Sequence, residues 1–450
     1  MKREKLTRRQ AIARTSAGVL GTFLGLSFKP FSINSSIQVR KLAINGGEKV
    51  HPGSWPQWPV WDTSAENRLL EMFRSGRWWR GNGEHVEEFE KKYAELMGAK
   101  RCLATASGTT ALITALQVMG VDAGDEVLVS PYTFIASYNV IFAHKALPVF
   151  VDSDPETFLL NPSKIEERIT ENTTAILPVH IYGLPVDMDR VNEIAKRHNL
   201  KVVEDACQAW LAEYKGKKVG TLGDLGCFSF QNSKHLAAGE GGAILGNDDD
   251  IMDMCHAYHN CGRPYGNMKR VPGNPHNGMN YRMQQSQAII LMYQMKRIER
   301  DNDIRYENAM YLDSKLKEIP GIIPYKLANG ATRAVYHLYP FRYIKEEFNN
   351  VPREKFIQAL NAEGIPCSRG YGKQNKDGLI EEVLTSKGYR RIYSEARLKR
   401  WREENELPGN DQLTEQSVTF SQSMLLGSRS DMDDIVKAIT KIYENRNSLA

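Results

Sequence analysis

Lys234 stands at the end of the run Phe228-Ser229-Phe230-Gln231-Asn232-Ser233-Lys234, five residues behind a hydroxyl and shortly ahead of Gly239-Glu240-Gly241-Gly242. A free lysine amine attacks carbonyl carbon, and apolar or cationic surroundings lower its pKa enough to make that form available. The glycines let backbone pack closely around it. Upstream, Val202-Val203-Glu204-Asp205-Ala206-Cys207-Gln208 ends an apolar run in acids. Strand ends of this kind face the ligand crevice of an α/β sheet. There Asp205 can pair with a protonated ring nitrogen and Gln208 can donate to a ring oxygen. An ordinary acidic strand end would use the same residues.

Further upstream, Ser107-Gly108-Thr109-Thr110 follows a strand-like run and opens a helix-like one. Ser107 can cap the helix, and the free N–H groups at such an end attract an anion. Gly108 permits close approach, and the threonine hydroxyls add donors. A phosphate fits here, as does a plain capped helix start. In order, these are the parts needed to hold pyridoxal phosphate. Gly108, Thr109 and Ser229 would take the phosphate and Lys234 would form the Schiff base. Asp205 would keep the ring cationic, so that it accepts electrons as a carbanion forms. Each element alone is commonplace, and Lys234 alone reads as a surface lysine. The case rests on three of them in sequence, each at a strand end.

The surrounding pattern supplies the strands. A helix is expected over 86–97, closed by Gly98. Strands are expected over 101–105, 126–130, 147–151, 175–179, 201–204, 226–230 and 243–245, with helices over 109–119, 134–144, 164–169 and 186–198 between them. Such alternation argues for an α/β domain with a mostly parallel sheet. A long amphipathic helix over 282–300 leads into an α+β C-terminal domain. That domain has helices over 307–318, 353–363 and 432–445 and an aromatic strand over 336–343. The domain division that follows is 39–295 and 296–450. Residues 55–61, with three tryptophans and two prolines, read as an extended arm with a structural role.

The chain of 450 residues suits two domains. Its net charge of +5 is concentrated at the start: residues 1–30 hold seven basic residues against Glu4, so the remainder carries −1. A body without basic bias makes nucleic acid an unsuitable partner. Thr7-Arg8-Arg9-Gln10 precedes the apolar stretch 17–26. Paired arginines before a short apolar run point to a twin-arginine export signal over 1–38 and a periplasmic destination. A basic tail on a cytoplasmic protein is the plainer alternative. The six cysteines contain no Cys-x-x-Cys pair and read as mostly buried thiols, not a disulfide framework. Cys255 and His259 share a helix face at i, i+4, but nothing nearby completes a zinc site, so no metal is expected.

Seven segments carry a resemblance. Ser-Gly-Thr-Thr-Ala-Leu (107–112), Pro-Tyr-Thr-Phe-Ile-Ala (131–136), Pro-Val-His-Ile-Tyr-Gly (178–183) and Glu-Asp-Ala-Cys-Gln-Ala (204–209) are the first four. Phe-Ser-Phe-Gln-Asn-Ser-Lys (228–234), Gly-Glu-Gly-Gly-Ala (239–243) and Met-Asn-Tyr-Arg-Met (279–283) complete the set. Together they resemble the DegT/DnrJ/StrS aminotransferases, which act on sugar or cyclitol ketones, and the match covers nearly everything after residue 40. The resemblance implies a fold-type I pyridoxal phosphate enzyme with a seven-stranded-type sheet. It implies Lys234 as the cofactor lysine, Asp205 as partner of the ring nitrogen, Gln208 near the ring oxygen and Phe134 stacked on the ring. It gives Gly108, Thr109 and Ser229 to the phosphate cradle. Asn280 would reach the phosphate of a neighbouring subunit, which implies a homodimer with shared sites.

Some family members replace the lysine by histidine and dehydrate sugars, so lysine here implies transamination. An amino acid donor, glutamate or glutamine, would give its amino group to a keto sugar or keto cyclitol. The tryptophan-rich arm, the run Arg305-Tyr306-Glu307-Asn308-Ala309-Met310 and the ending Ser423-Met424-Leu425-Leu426 resemble members that aminate inosose-type cyclitols. The export signal argues against a nucleotide-linked substrate. A dehydratase and a non-catalytic exported binder of sugar or cofactor stand as alternatives.

Overall fold

The computed structural model describes residues 41–270 and 276–449. The basic segment 1–38 lies outside the described residues. Seven strands form the main sheet: β1 (Arg101–Thr105), β2 (Glu126–Val129), β3 (Leu147–Phe150), β4 (Thr173–Leu177), β5 (Lys201–Asp205), β6 (Leu225–Ser229) and β7 (Gly242–Gly246). Their order is β1-β7-β6-β5-β4-β2-β3. Only β7 is reversed: it pairs antiparallel with β1 and β6, and the other pairings are parallel. The C-terminal ends of β1, β2, β4, β5 and β6 therefore lie along one edge. β2, β3, β6 and β7 are buried at every position, as a sheet covered on both faces requires.

The helices around this sheet are α1 (Glu66–Ser75), α2 (His85–Met97), α3 (Gly108–Val118), α4 (Ala136–Ala143), α5 (Met188–His198), α6 (Asp249–His259) and α7 (Gln285–Leu316). α3 starts in a reciprocal capping box. Thr110 N–H donates to Ser107 Oγ at 3.1 Å, and Ser107 N–H donates to Thr110 Oγ1 at 2.9 Å. A cap of this kind contributes about 1 kcal/mol and pins the first turn.

Four expected elements differ. The helix expected over 164–169 is two 3₁₀ turns, Pro162–Lys164 and Glu166–Arg168. The segment is too short to repay α-helix nucleation, and Ile169 is already extended. The helices expected over 282–300 and 307–318 are one, α7, of 32 residues. The polar stretch between them does not break it because its side chains find partners. Arg297 Nε donates to Asp301 at 2.6 Å, and Asn302 Nδ2 donates to the Trp210 carbonyl at 2.9 Å. The strand expected from residue 336 begins at Leu338, because Tyr336 sits at φ +56°.

Beyond α7, the antiparallel sheet β8-β9-β11-β10 is built from β8 (Ile322–Pro324), β9 (Leu338–Tyr343), β10 (Ser368–Arg369) and β11 (Ser417–Ser421). Helices α8 (Arg353–Ala362) and α13 (Arg429–Glu444) belong to the same part. Between β10 and β11 lie four helices that no periodicity announced: α9 (Gly378–Thr385), α10 (Lys387–Ile392), α11 (Glu395–Glu403) and α12 (Pro408–Gln416). They are fastened to the edge of the main sheet. Tyr389 Oη donates to the Ala146 carbonyl and Trp401 Nε1 to the Pro148 carbonyl, each at 2.7 Å. Covering edge strand β3 in this way removes a template for unwanted strand pairing.

Candidate active site

Adjacent residues leave β5 in opposite directions, as its period of two demands. Glu204 turns away and is held structurally. It accepts from His180 Nε2 at 2.9 Å and from the N–H groups of Gly220, Leu222 and Gly223. Asp205 turns into a cavity of about 540 Å³ at the strand ends. Its carboxylate is buried, accepting from Ser137 Oγ at 2.7 Å and from Cys207 N–H at 3.1 Å. It has no ion-pair partner among the described residues. A buried carboxylate without a cation calls for a positively charged partner, and a protonated ring nitrogen supplies one.

Gln208, on the same turn, has its amide oriented by two bonds. Oε1 accepts from Tyr182 N–H at 2.9 Å, and Nε2 donates to Tyr371 Oη at 2.8 Å. Across the cavity, the N–H groups of Gly108 and Thr109 open α3 and have no intrahelical acceptor. Ser229, at the end of β6, stands beside them. Space for an anion there depends on glycine. A Cβ at Gly108 would lie 2.7 Å from Ser229 Cβ, and one at Gly242 would lie 2.3 Å from the Ser107 carbonyl oxygen. Phe134 lies at the cavity with 54% of its surface exposed, a flat apolar face open to a ring.

Lys234 follows a turn in which its N–H donates to the Gln231 carbonyl at 2.9 Å. Burial pushes the pKa of its amine down, opposed by nearby Cys207 and Asp205. The net direction favours the free amine that bonding to an aldehyde requires. Its Nζ lies 3.4 Å from His337 Nε2 and 5.9 Å from the centre of the Trp210 ring. The Lys234 carbonyl accepts from Trp58 Nε1 at 3.0 Å, so the tryptophan-rich arm reaches this loop.

Seven of the eight residues singled out in the sequence thus border one cavity: Gly108, Thr109, Phe134, Asp205, Gln208, Ser229 and Lys234. Asn280 does not; it is exposed and bridges to Asn260. Ser137, His337 and Tyr371 also border the cavity, unannounced. Ser137 had a signal, since it lies one helical turn after Phe134. His337 and Tyr371 come from the C-terminal part and carried no local one. The two runs that resemble cyclitol enzymes lie together, and none of their residues lines the cavity. Asn308 Nδ2 donates to the carbonyls of Leu425 and Gly427, each at 2.9 Å. Cys255 and His259 are both buried on α6, and no cluster of three or more candidate metal ligands occurs among the described residues.

The donor set fits pyridoxal phosphate at each end: an anion cradle, an unpaired buried carboxylate and a depressed lysine. The fold and cavity define an aminotransferase of fold-type I that depends on this cofactor. A model of the DegT/DnrJ/EryC1/StrS aminotransferase family matches residues 61–418, and the chain belongs to that family. It is similar to an L-glutamine:2-deoxy-scyllo-inosose aminotransferase of Streptomyces kanamyceticus, at 34% identity over 432 residues, covering 92% of this chain and 99% of the relative. An L-glutamine:scyllo-inosose aminotransferase of Streptomyces griseus is 33% identical, covering 90% and 98%. Among solved structures, 3-amino-5-hydroxybenzoic acid synthase superposes with a TM-score of 0.76 at 30% identity, covering 88% and 99%. NtdA from Bacillus subtilis with bound cofactor PMP gives 0.70 at 26%, covering 84% and 81%.

Proposed function

We propose that this chain transfers the amino group of glutamine to a keto cyclitol of the inosose class. The observation that carries the reading is the length of the likeness: relatives named for that reaction match at about one third identity from end to end. The cavity volume lies within the range of about 300–1,000 Å³ typical of small-molecule sites.

When bound, pyridoxal phosphate supplies an electrophilic aldehyde and an electron-accepting ring. In the proposed roles, Gly108, Thr109 and Ser229 bind its phosphate, and Phe134 covers one ring face. Asp205 holds the proton on the ring nitrogen, fixed in place by Ser137 and the Cys207 N–H. Gln208 is directed at the ring oxygen. Lys234 Nζ would hold the aldehyde carbon. With the amino donor in the cavity, Lys234 Nζ would be placed to take the proton from the donor's α-carbon as base and to hand the same proton back as acid, holding it between the two transfers. The same group acts in reverse on the ketone.

The proposal extends to assembly and location. A homodimer is supported by exposed Phe73, Trp78, Trp79 and Met279, which leave large apolar surface uncovered. Asn280, outside its own cavity, would serve the partner's. The large and small domains are proposed as 39–295 and 296–450. Export by the twin-arginine route rests on Arg8 and Arg9; fractionation of the Arg8→Lys, Arg9→Lys chain should find it retained in the cytoplasm. The central test incubates purified protein with glutamine and scyllo-inosose or 2-deoxy-scyllo-inosose and identifies the product by mass spectrometry. An aminated cyclitol is expected. Transfer only to a nucleotide-linked keto sugar would reject the cyclitol, and a deoxygenated sugar formed without donor would reject transamination.

A further inference from the structure

Behind Lys234 lies a buried polar cluster that the roles above leave unused. His337 is 7% exposed and precedes β9. His235 and Trp210 pack against it, with ring centres 6.2 and 6.0 Å away. Its Nε2 faces Lys234 Nζ at 3.4 Å, while its buried Nδ1 has no partner among the described residues. Burial, with Lys234 and Arg305 nearby, pushes the imidazole pKa well down, so the ring is neutral. A neutral ring has one acceptor and one donor nitrogen.

We propose that His337 is a positioning residue for Lys234: with its proton on Nδ1, its Nε2 accepts one N–H of the free amine and so directs the amine lone pair into the cavity. A long lysine stem left alone samples many rotamers, and ordering it costs side-chain entropy. A carboxylate at this point would order the stem but hold the amine protonated. A neutral acceptor orders it without adding that charge. Trp210, on whose ring Nζ also lies, limits movement on another side.

The inference rests on Lys234 as the residue that bonds the cofactor. In the test, the full chain is stripped of cofactor and the rate of pyridoxal phosphate capture is followed by visible absorbance. Pyridoxine phosphate, which has an alcohol in place of the aldehyde, reports the cradle alone. His337→Leu should slow capture about tenfold or more, while His337→Gln, whose amide oxygen can accept the same bond, should stay within about threefold of the unmodified chain. Pyridoxine phosphate affinity should be unchanged in both. If His337→Leu does not fold, His337→Asn, which is too short to reach Nζ, takes its place. Undiminished capture in His337→Leu or His337→Asn, no rescue in His337→Gln, or a parallel loss of pyridoxine phosphate binding would overturn the proposal. Capture by Lys234→Ala equal to that of the unmodified chain would instead overturn the underlying assignment of Lys234.

Discussion

Ser137 and Asp205 are joined by a 2.7 Å hydrogen bond between buried side chains, with Ser137 Oγ donating to Oδ2. The bond links α4 to the end of β5 and leaves the carboxylate little freedom to turn. A hydrogen bond to a charged group contributes about 1.5–3 kcal/mol. Ser137→Ala should therefore lower kcat about tenfold or more, with the cofactor still bound. Asp205→Asn should lower it further, since it removes the charge itself. Steady-state kinetics on cofactor-saturated protein checks both, and full activity in Ser137→Ala would show that the bond does not orient the carboxylate.

Lys234→Ala should abolish the visible absorption of the cofactor-loaded protein while the phosphate cradle still binds pyridoxine phosphate. The two ends of the cavity are separate in the chain: Lys234 lies in the loop after β6, and the cradle is built mainly on α3. A spectrum unchanged by the substitution would remove Lys234 from the chemistry.

What the sequence revealed and what it hid divide along range. Asp205, Gly108 and Lys234 were legible because each ends a strand or follows one within five residues, and strands can be read from local apolar runs. The main sheet was legible for the same reason. Tyr371 was not. It reaches Gln208 from 163 positions away, after a two-residue strand, and no local pattern predicts that approach. The helices α9 to α12 were missed because each is only six to nine residues long and buries one to three side chains, too few for an apolar period to show. Arg305 and Asn308 were noticed as a motif, but they serve packing: Arg305 Nε donates to Gln422 Oε1 at 2.9 Å, deep in the interior.

Gly242→Ala should damage both stability and phosphate binding. Its Cβ would press on the Ser107 carbonyl and stand 2.7 Å from Gly108 N, so the start of α3 must shift. Overpacking of this kind costs about 1–3 kcal/mol. Gly239→Ala makes the contrast. Gly239 has φ +80°, but a Cβ there meets nothing within 4 Å, so it should lose about 1 kcal/mol and leave the phosphate affinity intact. Thermal unfolding and pyridoxine phosphate titration of the two variants separate these effects, and equal phosphate affinities would disprove the role given to Gly242.

Asp313 should make the fold less stable as pH rises through weak acid. Burial raises its carboxyl pKa from 3.8 to about 6, although Tyr339 and Tyr325 donate hydrogen bonds to it at 2.5 and 2.9 Å. Between these two values the folded chain binds more protons than the unfolded one. Stability from this group is thus fully present below pH 3.8 and is lost as pH climbs through about 6. Asp313→Asn cannot titrate. Its melting temperature relative to the unmodified chain should rise steadily from pH 4 to about 6 and then level off. Other groups, such as His256, which burial holds down to about 3, titrate alike in both chains and cancel in the difference. A difference flat across that interval would mean that Asp313 ionises at the same pH folded and unfolded, and that the two tyrosines offset its burial completely.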